Sequence, residues 1–190
     1  AAGRGDVPVA AGAARPLLEP PVDARHVHGA DGMGDLGWPA PKLEPDPRHA
    51  VELLRDVCRS AAATGRPVTL VPLAPLTNVA LLLRTYPKVA AGIAEIVFMG
   101  GAANVGNATA SAEFNVFHDP EAAAIALEAA GELGIPVTMY GLDVFYEPVI
   151  SRAEAAHLTA VGGRGAAELA GRLIEFQCDR FGRDAATIGD

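Results

Sequence analysis

The chain has 190 residues, half of them apolar and a fifth charged, with a formal net charge of −8. That length supports one sizeable domain with its own core, and the composition excludes a disordered chain. An acidic balance with no Lys/Arg cluster argues against a nucleic-acid partner, and no apolar run approaches the roughly 20 residues of a membrane-spanning helix.

In chain order, residues 7–10 (VPVA) are expected to form a short strand. Residues 15–45 are rich in Pro and Gly and lack periodicity, which predicts a long loop of the functional or mobile kind. Asp46-Pro47 has the form of an N-cap followed by Pro in the first turn. Apolar residues at helical spacing then run from Ala50 to Ala61, and Gly65 should end that helix. PVTLVPL (67–73) reads as a buried strand, LTNVALLLRTYP as a helix stopped at Pro87, and EIVFMGG (95–101) as a second buried strand. Asp119-Pro120-Glu121 repeats the cap-then-Pro signature and opens a helix to about Gly131. IPVTMYGLDV (135–144) is a third strand, and helices are expected over 151–161 and 165–181.

Apolar strands alternating with helices imply a parallel α/β sheet covered on both faces. Ligands of such sheets bind beyond the carboxyl ends of the strands. That rule puts three loops on one rim: APLTN, MGGAANVGNATASAEFN and GLDVFYEP. Cys58 and Cys178 are far apart, lack metal-like spacing and sit in apolar helical patterns, so both are expected to be buried free thiols. No signal peptide is visible, which makes the cytoplasm the default compartment. The first residues lack an initiator Met and the last stop without a polar tail, so both ends read as cuts through a larger domain.

Several motif matches fail on context. GMGDLG (32–37) fits G-x-G-x-x-G, but no strand precedes it and no helix follows, so a nucleotide role is rejected. There is no Walker loop and no G-x-S-x-G elbow. His26 and His28 lack a third metal ligand nearby, and His49 and His157 fall on amphipathic helices with solvent-facing or capping roles as the default.

The stretch SAEFNVFHDPEAA (111–123) interleaves Glu113, Asn115 and Asp119 with aromatic and aliphatic residues. Polar groups in an apolar setting need partners, so they either cap backbone or face a small hydroxylated ligand. Asp119 is expected to be the N-cap of the helix behind it. Asp143 is expected to hold its own turn, and the Thr77 hydroxyl could cap the NVALLL helix. Met99, Phe114 and His28 on their own would be core or surface residues.

PLAPLTNVALLL, FMGGAANVGNATASAEFNVFHDPEAA and VTMYGLDV together resemble the calcium-dependent nucleoside hydrolases, the inosine-uridine-preferring N-ribohydrolases. The likeness runs along nearly the whole chain, and GNATASAEFN is its most specific part. It implies a doubly wound, mainly parallel α/β fold and hydrolysis of the bond between ribose and a base. It also implies that Asn107, Glu113 and Asn115 hold the ribose hydroxyls, that Met99 lies against the sugar, and that Phe114 and His28 lie nearer the base. Ca2+ would be bound by the Thr77 carbonyl and by Asp190, although Gly189 stands where many members have His, and Phe145 where many have Thr. The partner would be a ribonucleoside, with no nucleic acid or membrane, and the intact protein a homo-oligomer, dimer or tetramer. The Asp-rich loop D-x-D-x-x-x-D-D, which supplies most calcium ligands and the general base in that family, does not occur in these residues. The chain is therefore expected to be a single partial domain, inactive and poor at binding calcium by itself. The alternatives are a ribose-binding homologue that lost the metal loop and a structural fragment.

Overall fold

The computed structural model describes residues 3–161, 163 and 165–187. Its elements in chain order are α1 (Arg25–His28), α2 (Ala50–Thr64), β1 (Val68–Leu70), α3 (Thr77–Thr85), a 3-10 turn (Pro87–Gly92), β2 (Ile93–Met99), α4 (Phe114–His118), α5 (Pro120–Glu132), β3 (Val137–Tyr140), α6 (Leu142–Phe145), β4 (Val149–Ser151), α7 (Arg152–Val161), α8 (Ala166–Phe181) and β5 (Ala185–Thr187). The described residues sort into two units, 8–21 with 45–144, and 3–7 with 22–44 and 145–187.

The first unit is built on a parallel sheet in the order β1-β2-β3. Val68 pairs with Ile93 at one end, and Met99 with Tyr140 at the other. Because the strands run parallel, all three deliver their carboxyl ends to one rim, as the alternating sequence pattern requires. The core gathers Leu82 and Leu83 of α3, Val89 of the 3-10 turn, Ile96 and Phe98 of β2, and an alanine face of α5 comprising Ala122, Ala126, Ala129 and Ala130. Those side chains recur at i, i+4, i+7 and i+8, a single helical stripe, and their small size lets α3 approach α5 closely. Gly92 marks another close approach. A Cβ built there would lie 1.8 Å from the Cys58 carbonyl oxygen of α2, so the residue must be Gly for the 3-10 turn to seat against that helix.

Four local expectations are corrected. Strand β1 is Val68–Leu70 rather than 67–73, with Val71 and Leu73 exposed. Residues 7–10 form no strand, and only Ala10 bridges, to Asp46. Asp46 is not the N-cap of α2. Its carboxylate is held by the Arg48 guanidinium and backbone N–H, and the helix starts later, with His49 Nδ1 accepting from the Val51 N–H at 3.2 Å. The third strand is shorter than 135–144, because residues 142–145 turn into α6. Other readings hold: Gly65 ends α2 in the left-handed region, and Cys58 and Cys178 are free and fully buried. Burial pushes the Cys58 thiol above its ordinary pKa.

The Asp46 pair carries a pH signature. Hydrogen bonds from Arg48 depress the Asp46 carboxyl from 3.8 to about 2. A depressed folded pKa gives stability that is present above the unfolded value and lost as pH falls through the folded one, here between about 4 and 2. Asp46→Asn should therefore lower the urea midpoint slightly at pH 7, and the gap to wild type should narrow as pH falls below about 4 and close below about 2. The effect should be small because Arg48 is exposed and solvent screens the half-buried pair.

In the second unit, β4 and β5 pair antiparallel, and α7 packs along α8. The 22–44 segment is tied to α8 by three side chains. Gln177 donates to the Val27 carbonyl, Arg180 to that of His26 and Arg172 to that of Leu36. Within it, GMGDLG is a turn held by Asp31 and Asp35, whose carboxylates each accept two backbone N–H groups. Helix α1, not a strand, precedes it, in keeping with its rejection as a nucleotide motif. Among the described residues, no helix is long and apolar enough to cross a membrane.

Candidate active site at the tip of the central strand

The site is assembled where β2 ends. Met99, 5 % exposed, is the last residue of β2, and its N–H donates to the Pro72 carbonyl in the loop after β1. The chain then turns at Gly100-Gly101. Gly101 has φ +76°, and a Cβ there would lie 2.6 Å from Met139 Sδ. That conformation aims the Gly101 N–H at Glu113 Oε2, 3.0 Å away. Gly101→Ala should cost about 1–3 kcal/mol through left-handed strain and overpacking, measured as a lower urea midpoint.

Residues 106–112 fold back on themselves. The N–H groups of Asn107 and Ala108 donate to the Ala112 carbonyl, and Thr109 Oγ1 accepts from the Ser111 and Ala112 N–H groups. This self-closed loop presents Asn107, whose Oδ1 accepts from the Phe114 N–H at 2.8 Å. Its outer edge is pinned from α6, where Asp143 accepts from the Ala103 N–H at 2.7 Å and the Asn104 side-chain amide at 2.6 Å. Those bonds, the Ala103 N–H foremost, hold the Asp143 carboxyl below the usual range. Asp143 is thus structural, but it braces the neighbouring loop rather than its own turn.

Glu113 answers the question posed by the interleaved stretch. It is 2 % exposed and caps α4: Oε1 accepts from the Asn115 N–H at 2.8 Å, and Oε2 from those of Val116 and Gly101. Three backbone donors satisfy a buried carboxylate and weld α4 to the tip of β2. An ionised carboxylate has about four acceptor positions, so one is left unspent by these three donors. Asn115 follows on α4, half-buried. Its Nδ2 donates to the Met99 carbonyl at 3.1 Å and lies 3.3 Å from Met99 Sδ. Among the described residues the Asn115 Oδ1 accepts no hydrogen bond and the Asn107 Nδ2 donates none. One unspent acceptor and one unspent donor therefore flank Phe114.

Thr77 opens α3, but its hydroxyl does not cap that helix. It donates to Asp119 Oδ2 at 2.5 Å, a partner 42 residues away. Asp119 is fully buried, caps α5 through the Ala122 N–H as expected, and also accepts from the Leu17 N–H. This hub is invisible to local reading, because nothing near Thr77 in sequence announces its partner.

The structure thus brings Met99, Asn107, Glu113, Phe114 and Asn115 together, with Thr77 at the start of α3 in the same unit. His28 is the exposed last residue of α1 in the other unit. Asp190 lies outside the described residues. Among the described residues, no three His, Cys, Asp or Glu side chains come together as a metal site.

Comparison with known proteins gives this rim a family. The model of the inosine-uridine preferring nucleoside hydrolase family matches residues 1–190. Pyrimidine-specific ribonucleoside hydrolase RihA of Shewanella woodyi is 46 % identical over 159 residues, 84 % of this chain and 49 % of that protein. Its namesake in Salmonella arizonae is 41 % identical over 191 aligned positions, 98 % of this chain and 59 % of that protein. Among solved structures, the plant nucleoside hydrolase PpNRh1 superposes with a TM-score of 0.82 at 26 % identity, covering 97 % of this chain and 58 % of that one. A purine-preferring ribonucleoside hydrolase from Gardnerella vaginalis gives 0.83 at 27 %, covering 94 % and 56 %. The chain spans about half the length of the curated relatives it matches. A family model that matches every residue, relatives above 40 % identity along most of the chain, and a parallel sheet flanked by helices like those of solved nucleoside hydrolases lead to one conclusion: this chain belongs to the inosine-uridine preferring nucleoside hydrolase family.

Proposed function

We propose that the intact protein hydrolyses the N-glycosidic bond of ribonucleosides, releasing ribose and the free base. The observation that carries this reading is the pair of unspent amide groups, Asn115 Oδ1 and Asn107 Nδ2, set around a buried carboxylate at the tip of β2. A ribose ring offers vicinal hydroxyls that both donate and accept, and this set matches them. As the C1′–N bond breaks, its electron pair leaves with the base, water adds its oxygen to C1′, and the ring passes through an oxocarbenium-like state. Amide and carboxylate dipoles already fixed by backbone hydrogen bonds stabilise that positive charge without reorganising. Met99 would lie against the sugar, with Phe114 toward the base.

Pyrimidine nucleosides are the first substrates to test. The relatives at 41–46 % identity are named pyrimidine-specific, whereas the purine-preferring structural neighbour is only 27 % identical. On the same reading residues 1–190 are a single partial domain of the intact protein, which is a cytoplasmic dimer or tetramer. The ion it implies is calcium, which takes oxygen ligands and can acidify a bound water. On the family likeness the Thr77 carbonyl would supply it one oxygen, and the described residues do not make a complete site by themselves.

The test is ribose release by the intact protein from uridine and inosine. Release from uridine, abolished by a chelator and restored by Ca2+, is the expected result. Asn115→Ala should lower kcat/KM about 10²-fold, the scale of one preorganised polar group. A binding-only homologue would bind ribose and release none.

A further inference from the structure

We propose that His118 and Glu121 act as a positioning pair for the Phe114 ring and so tune nucleoside affinity, an inference that rests on the nucleoside reading above. His118 sits one helical turn after Phe114 on α4, and the two ring centroids are 5.5 Å apart, tilted at 39°. The spacing i, i+4 puts both rings on one face of the helix. The backbone of Phe114 is fixed by Asn107 and that of Asn115 by Glu113, yet the Phe114 ring needs its own support. His118 provides it from the next turn of α4.

The choice of residue is informative. Among the described residues, His118 Nδ1 is buried without a hydrogen-bond partner, and so is Glu121 Oε2, three residues further on in the first turn of α5. Buried polar atoms are nearly always paired, and an apolar side chain behind Phe114 would avoid the penalty. Nδ1 can carry a proton and donate it, and a carboxylate oxygen can only accept when ionised, so the two atoms are chemically complementary. Asp119 and Pro120 fix the junction between them, with the Asp119 carboxylate already committed to Thr77, Leu17 and Ala122. Both atoms are therefore unspent among the described residues. When a base settles on the Phe114 ring, the imidazole turns, Nδ1–H donates to Glu121 Oε2, and both rings are locked.

The experiment compares steady-state kinetics of the intact protein as wild type, Phe114→Ala, His118→Ala, His118→Phe and Glu121→Gln, with free ribose as a competitive inhibitor. His118→Ala should raise KM for the nucleoside about 3- to 10-fold, the range expected for one lost ring–ring contact. The ribose Ki and kcat should stay within about twofold of wild type, because the sugar contacts are untouched. His118→Phe should recover the ring contact but not the lock, leaving KM about two- to threefold raised, as should Glu121→Gln. A merely structural role would move the ribose Ki together with KM, and that result overturns the proposal. KM that rises in Phe114→Ala but not in His118→Ala overturns it alone and leaves the hydrolase reading standing. Wild-type protein that releases no ribose from any nucleoside overturns the hydrolase reading and this proposal with it.

Discussion

Replacing Asp119 with alanine should destabilise the protein by about 3–5 kcal/mol, a large share of the 5–15 kcal/mol that holds a typical domain together. The carboxylate is fully buried and accepts three hydrogen bonds, from Thr77 Oγ1, the Leu17 N–H and the Ala122 N–H. Alanine removes all three at once. It leaves an uncapped α5, a buried hydroxyl at the start of α3 and an unpaired N–H in the 8–21 segment. Loss of the cap alone costs about 1 kcal/mol, and each buried donor left unpaired about 1–3. Asp119→Asn should cost less, about 1–3 kcal/mol, because one oxygen still accepts, although its amide confronts the donors on the other side. Thr77→Val should be milder still, since it removes donor and hydroxyl together and leaves Asp119 with two partners. Urea unfolding of the intact protein gives all three values. A shift below about 1 kcal/mol for Asp119→Ala would mean that the hub linking α3, α5 and the 8–21 segment does not carry load.

The same residue shows where sequence reading succeeds and where it stops. Asp119-Pro120 was legible because a cap and a Pro at the first helical position act within four residues of each other. The identical signature at Asp46-Pro47 misled, since Arg48 captures the carboxylate and the helix begins only after His49. Periodicity and apolar runs revealed the long helices and the three parallel strands. They could not reveal α4, which has five residues, or β4 and β5, three residues each and brought together across the α7–α8 pair. The candidate site was legible as a list of polar residues and through its family likeness. Its support was not. The bonds of Glu113 to Gly101, of Asn115 to Met99 and of Asp143 to Ala103 span 12, 16 and 40 residues, and no local pattern encodes them.

Glu113 yields the second large effect, in which activity and stability should separate. The sequence alone suggests that Glu113→Ala removes a ribose contact with little cost to the fold. The structure revises this, because the carboxylate also caps α4 and holds the Gly101 N–H. Glu113→Ala should therefore cost about 2–4 kcal/mol, from one lost cap and one buried backbone donor left without a partner. Glu113→Gln is the sharper probe. Its remaining oxygen can still accept from one side of the site, so the stability loss should fall to about 1–2 kcal/mol. The amide, however, carries no negative charge to oppose the oxocarbenium-like ring, and its nitrogen cannot accept from a ribose hydroxyl. In the intact protein kcat/KM should drop about 10²- to 10³-fold, measured at a temperature where the variant is still folded. If a folded Glu113→Gln turned over nucleosides like wild type, the carboxylate would be a structural clamp alone, and the sugar would have to be held by Asn107 and Asn115 without it.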